Sequence, residues 1–329
     1  MLKAYDYIEY DHAVDKRLHD TRIFNEEKRI AERVVRDLLQ NKPVKEKTGS
    51  CPVCGNADVN IFFDIWSVEY YRCESCFSIF TNADPDVLEA YKKSNELIEF
   101  RLSDQYQSAA EERRDIVWED MIDWVKFRSY RYLGRNKNLN VIDYGNRFKA
   151  LVNRLITSSL VDRYELRDSI IPNIEVCAKP LGSEKADIVL YLNRIQQSIN
   201  PVQDLQALHE IMKEDGLLFL STRVGTGFDI LTLQKNITNV FPYEHVLLLS
   251  KEGLEIALSK AGFKVLEIST PGLLDLQYVL DNREGIEKNN LFIKYLIDTA
   301  DKYTLSEFQR FLQKSGLSSY AQVIATREM

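Results

Sequence analysis

The stretch VIDYGNRFKALVNRL, residues 141–155, decides the fold. A run of apolar residues leads to Asp143 and a single glycine, Gly145, before a segment with helical spacing begins. This order of strand, tight turn and helix is how a cofactor-binding loop starts in an α/β protein. Such loops usually carry two or three glycines, but Arg147 and Lys149 stand where the next two are expected. The stretch therefore predicts a cofactor loop and leaves open whether the loop still holds a cofactor.

The alternation of strand and helix patterns continues beyond this stretch. Strands are expected in NLNVIDYG, DRYELRD, IEVCAK, ADIVLYL, LLFLSTRV, FKVLEIS and SYAQVIATR. Helices are expected between them, including VQDLQALHEIMKEDG, which should end at Gly216. Strands that alternate with helices predict an α/β fold with a Rossmann-like, doubly wound and mostly parallel sheet. Ligands of such a sheet bind beyond the carboxyl ends of its strands, where the loop after the first strand lies.

Four cysteines form two pairs with the spacing of zinc ligands. Cys51 and Cys54 belong to CPVCG, Cys73 and Cys76 belong to CESC, and 18 residues separate the pairs. Two such turns, joined by a hairpin, complete a tetrahedral shell of four thiolates. Disulfide bonds are less consistent with a chain that shows no secretion signal. We therefore predict a zinc ribbon with a structural zinc, because four thiolates leave no open position for catalysis.

The remaining sequence predicts how the chain is organised. Apolar residues at helical spacing among many charges predict a helical arm, which Pro43 and a polar run bring to an end. Asp84 is a good N-cap before Pro85, and a second helix-rich segment follows. The predicted parts are an N-terminal helical arm (1–46), a zinc ribbon (47–83), a helical connector (84–138) and an α/β domain (139–329).

The charge and hydropathy of the chain limit its partners. A net charge of −7 and a pI of about 5.4 argue against nonspecific binding to nucleic acid. The apolar runs are far shorter than a membrane span, and the N-terminus lacks an apolar signal core. We therefore expect a cytoplasmic protein that binds neither nucleic acid nor a membrane.

Several motifs agree on one family. NVIDYG, which contains Asp143 and Gly145, resembles the first motif of the class I S-adenosylmethionine-dependent methyltransferases. ADIVLYLNRIQQSINPVQDLQALHEIMKEDGLLFLST resembles the fourth strand, the following helix and the fifth strand of that family. The order of zinc ribbon, helices and α/β domain is similar to the subgroup with an N-terminal zinc ribbon. The resemblance implies that S-adenosylmethionine lies over Gly145, with Asp143 in the cofactor-binding motif.

The ribose of that cofactor should be held by an acidic residue at the end of the second strand. Glu165 stands 20 residues beyond Gly145, and Asp168 stands 23 residues beyond it. Because strand ends are uncertain by a few residues, either carboxylate fits this role.

A narrower resemblance is to the sugar C-methyltransferases of deoxysugar biosynthesis, which carry a stretch similar to PYEH. It implies a sugar-type or other small-molecule acceptor, with His245 as general base and Tyr243 and Glu244 nearby. An imidazole with a pKa near neutrality suits removal of a proton from the acceptor before methyl transfer. Those enzymes carry an additional C-terminal domain that has no counterpart in this sequence.

Two departures from the family pattern keep alternatives open. Arg147 and Lys149 replace glycines, and RIQQS, with Gln196 and Gln197, replaces a stretch that often contains Glu-His. An active methyltransferase that acts on an activated sugar or polysaccharide precursor is one interpretation. A pseudo-methyltransferase that serves as a binding or scaffold protein is the second. A relative of the fold that binds another anionic or nucleotide ligand at the helix N-terminus is the third. The oligomeric state is not predicted.

Overall fold

The structure, a computed structural model, describes residues 21–40, 49–146, 148–171, 181–287 and 290–328. Its strands are β1 (Val59–Ile65), β2 (Val68–Cys73), β3 (Ile79–Thr81), β4 (Leu139–Tyr144), β5 (Val161–Arg167), β6 (Ala186–Leu192), β7 (Met212–Arg223), β8 (Leu247–Leu248), β9 (Phe263–Ser269) and β10 (Tyr320–Arg327). Its helices are α1 (Thr21–Leu39), α2 (Pro85–Lys92), α3 (Asn95–Leu102), α4 (Asp104–Leu133), α5 (Lys149–Thr157), α6 (Pro201–Ile211), α7 (Phe228–Leu233), α8 (Lys251–Lys260), α9 (Asp275–Asp281), α10 (Leu291–Thr299) and α11 (Lys302–Lys314).

The main sheet has six strands in the order β5-β4-β6-β7-β10-β9. Strands β5, β4, β6 and β7 are parallel, whereas β10 runs antiparallel between β7 and β9. The central strands are buried on both faces, which is why β6 reads as the continuous apolar run IVLYL. The predicted Rossmann-like, mostly parallel sheet is therefore confirmed.

The largest difference from the predicted elements lies between α6 and β7. The expected helix through Gly216 is wrong, because α6 ends at Ile211 and β7 begins at Met212. Met212 is fully buried and pairs with Ala186 of β6. This pairing draws the segment into the sheet. The expected strand IEVCAK, residues 174–179, lies outside the described residues.

A second sheet joins the cysteine-bearing segment to the α/β domain. Strands β1, β2 and β3 are antiparallel, and β8 adds to the edge of β3. Ile79 pairs with Leu248 and Phe80 pairs with Leu247, so a strand from the α/β domain completes this N-terminal sheet. The Ser250 hydroxyl also donates to the carbonyl of Cys76. The N-terminal sheet is therefore fixed on the α/β domain by backbone pairing.

The helices before the main sheet continue this packing. The buried face of α1, with Ile30, Ala31 and Val35, belongs to the same core as the N-terminal sheet. Asp84 caps α2 as predicted, because its carboxylate accepts from the backbone N–H groups of the first turn. Among the described residues, the search for a helix long and apolar enough to cross a membrane finds none.

Candidate cofactor and acceptor cavity

A cavity of about 420 Å³ opens at the carboxyl ends of the parallel strands. Gly145 follows β4, Asn193 and Arg194 follow β6, and all three line it. Phe24 and Glu27 of α1 also contribute to the wall. The cavity therefore lies where the sheet topology predicts a ligand, and the N-terminal helix forms part of it.

The turn after β4 has the backbone geometry of a tight cofactor loop. Gly145 has a φ of +70°, a conformation that favours glycine. Its N–H donates to the carbonyl of Arg167 at 2.7 Å. A Cβ built at Gly145 would lie 2.2 Å from the Cδ of Arg194. The φ angle therefore favours glycine at this position, and the side chain of Arg194 occupies the space beside it.

Asp143 lies beneath the turn and is not part of the cavity wall. Its Oδ2 accepts from the Tyr164 hydroxyl at 2.6 Å and from Asn146 Nδ2 at 3.0 Å. The side chain of Asn146 in turn accepts from the N–H of Phe148 at 2.9 Å. Burial raises the pKa of Asp143 to about 6, and the two hydrogen bonds oppose part of that rise. Asp143 therefore shapes the turn and the start of α5 from below.

Arg194 is the residue that the sequence reasoning missed. Its side chain lies against Gly145, donates to Gln197 Oε1 at 2.7 Å and forms an ion pair with Asp168. The RIQQS stretch, noted for its lack of Glu-His, begins with this arginine. Of the two cations that the sequence singled out, Lys149 is exposed and Arg147 lies outside the described residues.

Neither predicted ribose-binding carboxylate forms part of the cavity wall. Asp168 follows the last residue of β5 and is paired with Arg194, which does line the cavity. Glu165 lies within β5 and accepts from Arg167 Nε at 2.7 Å. Asp168 therefore occupies the strand-end position expected of a ribose ligand, and Arg194 stands between it and the cavity.

The PYEH stretch divides between the cavity and the core. Glu244 and His245 line the cavity, whereas Tyr243 is buried against Tyr91 of α2 with ring centroids 6.2 Å apart. Burial raises the pKa of Tyr243 to about 12, and the charge of Asp84 acts in the same direction. Tyr243 is therefore a packing residue in this geometry, and its two neighbours are the ones placed to meet a ligand.

The backbone of Phe241 contacts Nδ1 of His245 through both its N–H and its carbonyl. The N–H of Phe241 donates to His245 Nδ1 at 3.0 Å, while the carbonyl of Phe241 lies 3.3 Å from the same nitrogen. When Nδ1 accepts from the N–H, neutral His245 carries its proton on Nε2. When Nδ1 instead donates to the carbonyl, Nε2 becomes the basic nitrogen. Both tautomers therefore have a backbone partner.

A buried ion cluster connects this stretch to the N-terminal helices. Arg101 of α3 donates to Glu244 Oε2 at 2.9 Å and to Glu27 Oε1 at 2.9 Å. The exposed fractions of the three side chains are 10% for Arg101, 4% for Glu244 and 11% for Glu27. Burial disfavours the guanidinium charge, but the two carboxylates raise the pKa of Arg101 well above its ordinary range. No sequence pattern marked Glu27 or Arg101, because their partners are distant along the chain.

Each residue of the stretch 243–245 is held by a different N-terminal element. Tyr243 packs on α2, and Glu244 is paired with Arg101 of α3. The hydroxyl of Tyr70 in β2 donates to the carbonyl of His245 at 2.9 Å. The position of the histidine therefore depends on the N-terminal sheet and helices.

The four cysteines form a separate cluster in the N-terminal sheet. Their Sγ atoms all lie within 4.8 Å of one another. Cys51 and Cys76 are 3.7 Å apart, and Cys54 and Cys73 are 3.5 Å apart. A tetrahedral zinc site with bonds of about 2.3 Å separates its sulfur ligands by about 3.8 Å. The cluster therefore fits four thiolate ligands around one zinc ion.

Solved structures are similar to this chain at low sequence identity. A scan against protein-family models and a search of curated proteins find no match. Coclaurine N-methyltransferase is 13% identical with a TM-score of 0.39, and the match covers 92% of this chain and 95% of that one. The plantazolicin methyltransferase is 13% identical with a TM-score of 0.40, covering 74% and 98%. A cyclopropane synthase from Mycobacterium tuberculosis is 14% identical with a TM-score of 0.38, covering 66% and 85%.

The architecture itself defines a Rossmann-like α/β fold, with a six-stranded mixed sheet and flanking helices.

Proposed function

We propose that the protein is an S-adenosylmethionine-dependent methyltransferase that acts on an activated sugar or polysaccharide precursor. The observation that carries the proposal is the shared cavity, which has Gly145 in its wall together with Glu244 and His245. Methyl transfer requires the donor and the acceptor to meet in one enclosed space. The sequence resemblance assigns the first of these residues to the cofactor and the other two to the acceptor.

The side chain of Arg194 lies against Gly145, and a bound cofactor would have to displace it. Its partner Asp168 has a side chain that is 68% exposed. Ion pairs between exposed groups contribute ~0–1 kcal/mol, and a single hydrogen bond such as the one to Gln197 contributes about 0.5–1.5 kcal/mol. A ligand of micromolar affinity gains about 8 kcal/mol on binding. The cost of moving Arg194 is therefore small beside the energy available.

Once Arg194 has moved, Asp168, Gly145 and His245 would each have a role in the reaction. The carboxylate of Asp168 would accept from the ribose hydroxyls, and Gly145 allows the backbone to approach the methionine portion. S-adenosylmethionine supplies an electrophilic methyl group on its sulfonium. His245 would take the proton of the acceptor at Nε2 while Nδ1 donates to the carbonyl of Phe241.

A binding protein without methyl transfer is the second candidate. It is favoured by the position of Arg194 against Gly145 and by the pairing of both candidate ribose ligands, Asp168 and Glu165, with arginines. In that case the guanidinium fills the cofactor space permanently, and the cavity serves another ligand.

Calorimetry with S-adenosylhomocysteine and S-adenosylmethionine separates the two candidates. The methyltransferase requires a measurable heat of binding, and absence of both heat and thermal shift at millimolar ligand would refute it. A mass increase of one methyl group on a sugar acceptor would exclude the binding protein.

His245→Gln should lower the rate by at least about 100-fold with unchanged cofactor binding. His209→Gln, on α6 outside the cavity, is the matched control.

We also propose that the four cysteines hold one structural zinc ion, which would stabilise the N-terminal sheet. The thiolates would fill all four positions of the metal, so it takes no part in the reaction. A cytoplasmic location is part of the same proposal, because free thiolates are maintained in a reducing compartment.

A further inference from the structure

One part of the cavity wall combines a buried hydrogen-bond acceptor without a partner and a fixed donor. Asn239 is 2% exposed and lines the cavity, and its Oδ1 has no hydrogen-bond partner among the residues that the structure describes. Buried side-chain oxygens of this kind are costly unless a ligand or water satisfies them. Arg223, at the end of β7, lines the same cavity.

Asp229 holds both groups in place. Its Oδ2 accepts from Asn239 Nδ2 at 3.0 Å and lies 3.6 Å from Nη1 of Arg223. Burial and the charge of Asp275 raise the pKa of Asp229 to about 6, whereas the neighbouring guanidinium of Arg223 favours the ionised carboxylate, which can only accept. The amide of Asn239 must therefore turn its nitrogen towards Asp229, which leaves its oxygen for another donor.

Aromatic side chains form the adjoining wall. The ring of Phe24 lies 5.6 Å from that of Phe241 and 6.5 Å from that of Tyr278, and all three residues line the cavity. The guanidinium of Arg223 lies over the ring of Tyr278 at 5.8 Å, which fixes its direction. This wall offers apolar surface to the C–H groups of a ring, beside one donor and one acceptor.

From this arrangement we infer that Asn239, Arg223 and the aromatic wall form a subsite for a neutral, hydroxyl-bearing ring. Asn239 Oδ1 accepts from one hydroxyl, and Arg223 donates to a neighbouring one. A phosphate would face the carboxylate of Asp275, which also lines the cavity, and an ammonium group would face Arg223. A hydroxyl, which both donates and accepts, satisfies both side chains. The claim that this ring belongs to the methyl acceptor rests on the proposed function. The claim that the subsite binds such a ring does not.

Saturation-transfer NMR with the full chain tests the subsite. The probes are glucose, galactose and fucose, with glucosamine as a charged comparison. Inorganic phosphate, which has no C–H proton, is followed by its phosphorus NMR line width. We expect saturation transfer to at least one neutral hexose, and about tenfold weaker binding in Asn239→Leu. Asn236→Ala is the matched control, because this exposed asparagine donates to the carbonyl of Gly285 outside the cavity. Hexose binding should be unchanged in that variant.

The inference is overturned if no neutral hexose binds, if only phosphate or glucosamine binds, or if folded Asn239→Leu binds as wild type. Should Asn239→Leu fail to fold, Arg223→Met decides, since loss of the donor should weaken the same hexose by a similar factor. S-adenosylhomocysteine is titrated into the same samples. Hexose binding without S-adenosylhomocysteine binding refutes the methyltransferase and keeps the subsite, and the reverse result refutes the subsite alone.

Discussion

Arg194→Ala is the substitution that tests how the cofactor space is closed. The guanidinium lies against Gly145 and pairs with Asp168, and a ligand over the glycine must move it. The contacts to be broken are the ion pair with the exposed carboxylate of Asp168 and the hydrogen bond to Gln197, which together cost about 1–2 kcal/mol. Removing the side chain before binding removes this cost. We therefore expect S-adenosylhomocysteine to bind roughly 5- to 30-fold more tightly.

Isothermal titration of wild type and variant at one pH and salt concentration measures the change. Arg163→Ala is the control. Arg163 lies on the edge strand β5, pairs with the exposed carboxylate of Glu184 and does not line the cavity. Its affinity should equal that of wild type. Unchanged affinity in Arg194→Ala would mean that the guanidinium does not compete with the cofactor. Weaker binding would mean that it contacts the ligand, and either result refutes the role of a displaceable cover.

Three further predictions concern stability. Arg101→Met leaves two buried carboxylates without their guanidinium and should cost about 3–5 kcal/mol in urea unfolding, whereas Arg36→Met at an exposed pair should cost under about 1 kcal/mol. The raised pKa of Asp143, about 6, means that its contribution to stability is lost as pH rises from about 4 to 6. Asp143→Asn should therefore gain up to about 3 kcal/mol relative to wild type across that window, and Asp162→Asn, on the surface, should gain nothing. Mass spectrometry should find one zinc per chain, and its removal by a chelator should lower the melting temperature by on the order of 10 °C.

Local patterns predicted the parts of the fold whose causes are local. The apolar runs ADIVLYL and FKVLEIS became β6 and β9 with the same boundaries. Ser250 caps α8 as expected from its position before the helix. The cysteine spacing also placed four thiols together, because each pair lies on one turn. Periodicity failed at residues 212–216, where pairing with β6 outweighed helical propensity.

The contacts that define the site are long-range and could not be predicted in this way. Arg194 reaches Gly145 only because the ends of β6 and β4 are neighbours in the sheet. Arg101 meets Glu244 across 143 positions of sequence, and nothing in either segment marks the other as its partner. The sequence drew attention to Arg147 and Lys149 because they replace glycines, and the structure adds Arg194, which reaches Gly145 from the segment after β6. Substitutions within a motif therefore indicate where to look, but they do not reveal neighbours that the sheet brings in from elsewhere.

The N-terminal elements hold the part of the cavity wall that contains Glu244 and His245. Tyr70, Tyr91 and Arg101 each fix one of three successive residues, and Glu27 completes the ion cluster from α1. An α/β unit without these elements would keep the turn at Gly145, because that turn is held by β4, β5 and Asp143. It would lose the position of His245 and the aromatic wall that includes Phe24. In the proposed function, the cofactor side of the cavity is the turn after β4, whereas the acceptor side is built jointly by the main sheet and the N-terminal elements. We therefore expect changes in the N-terminal half to alter acceptor specificity first.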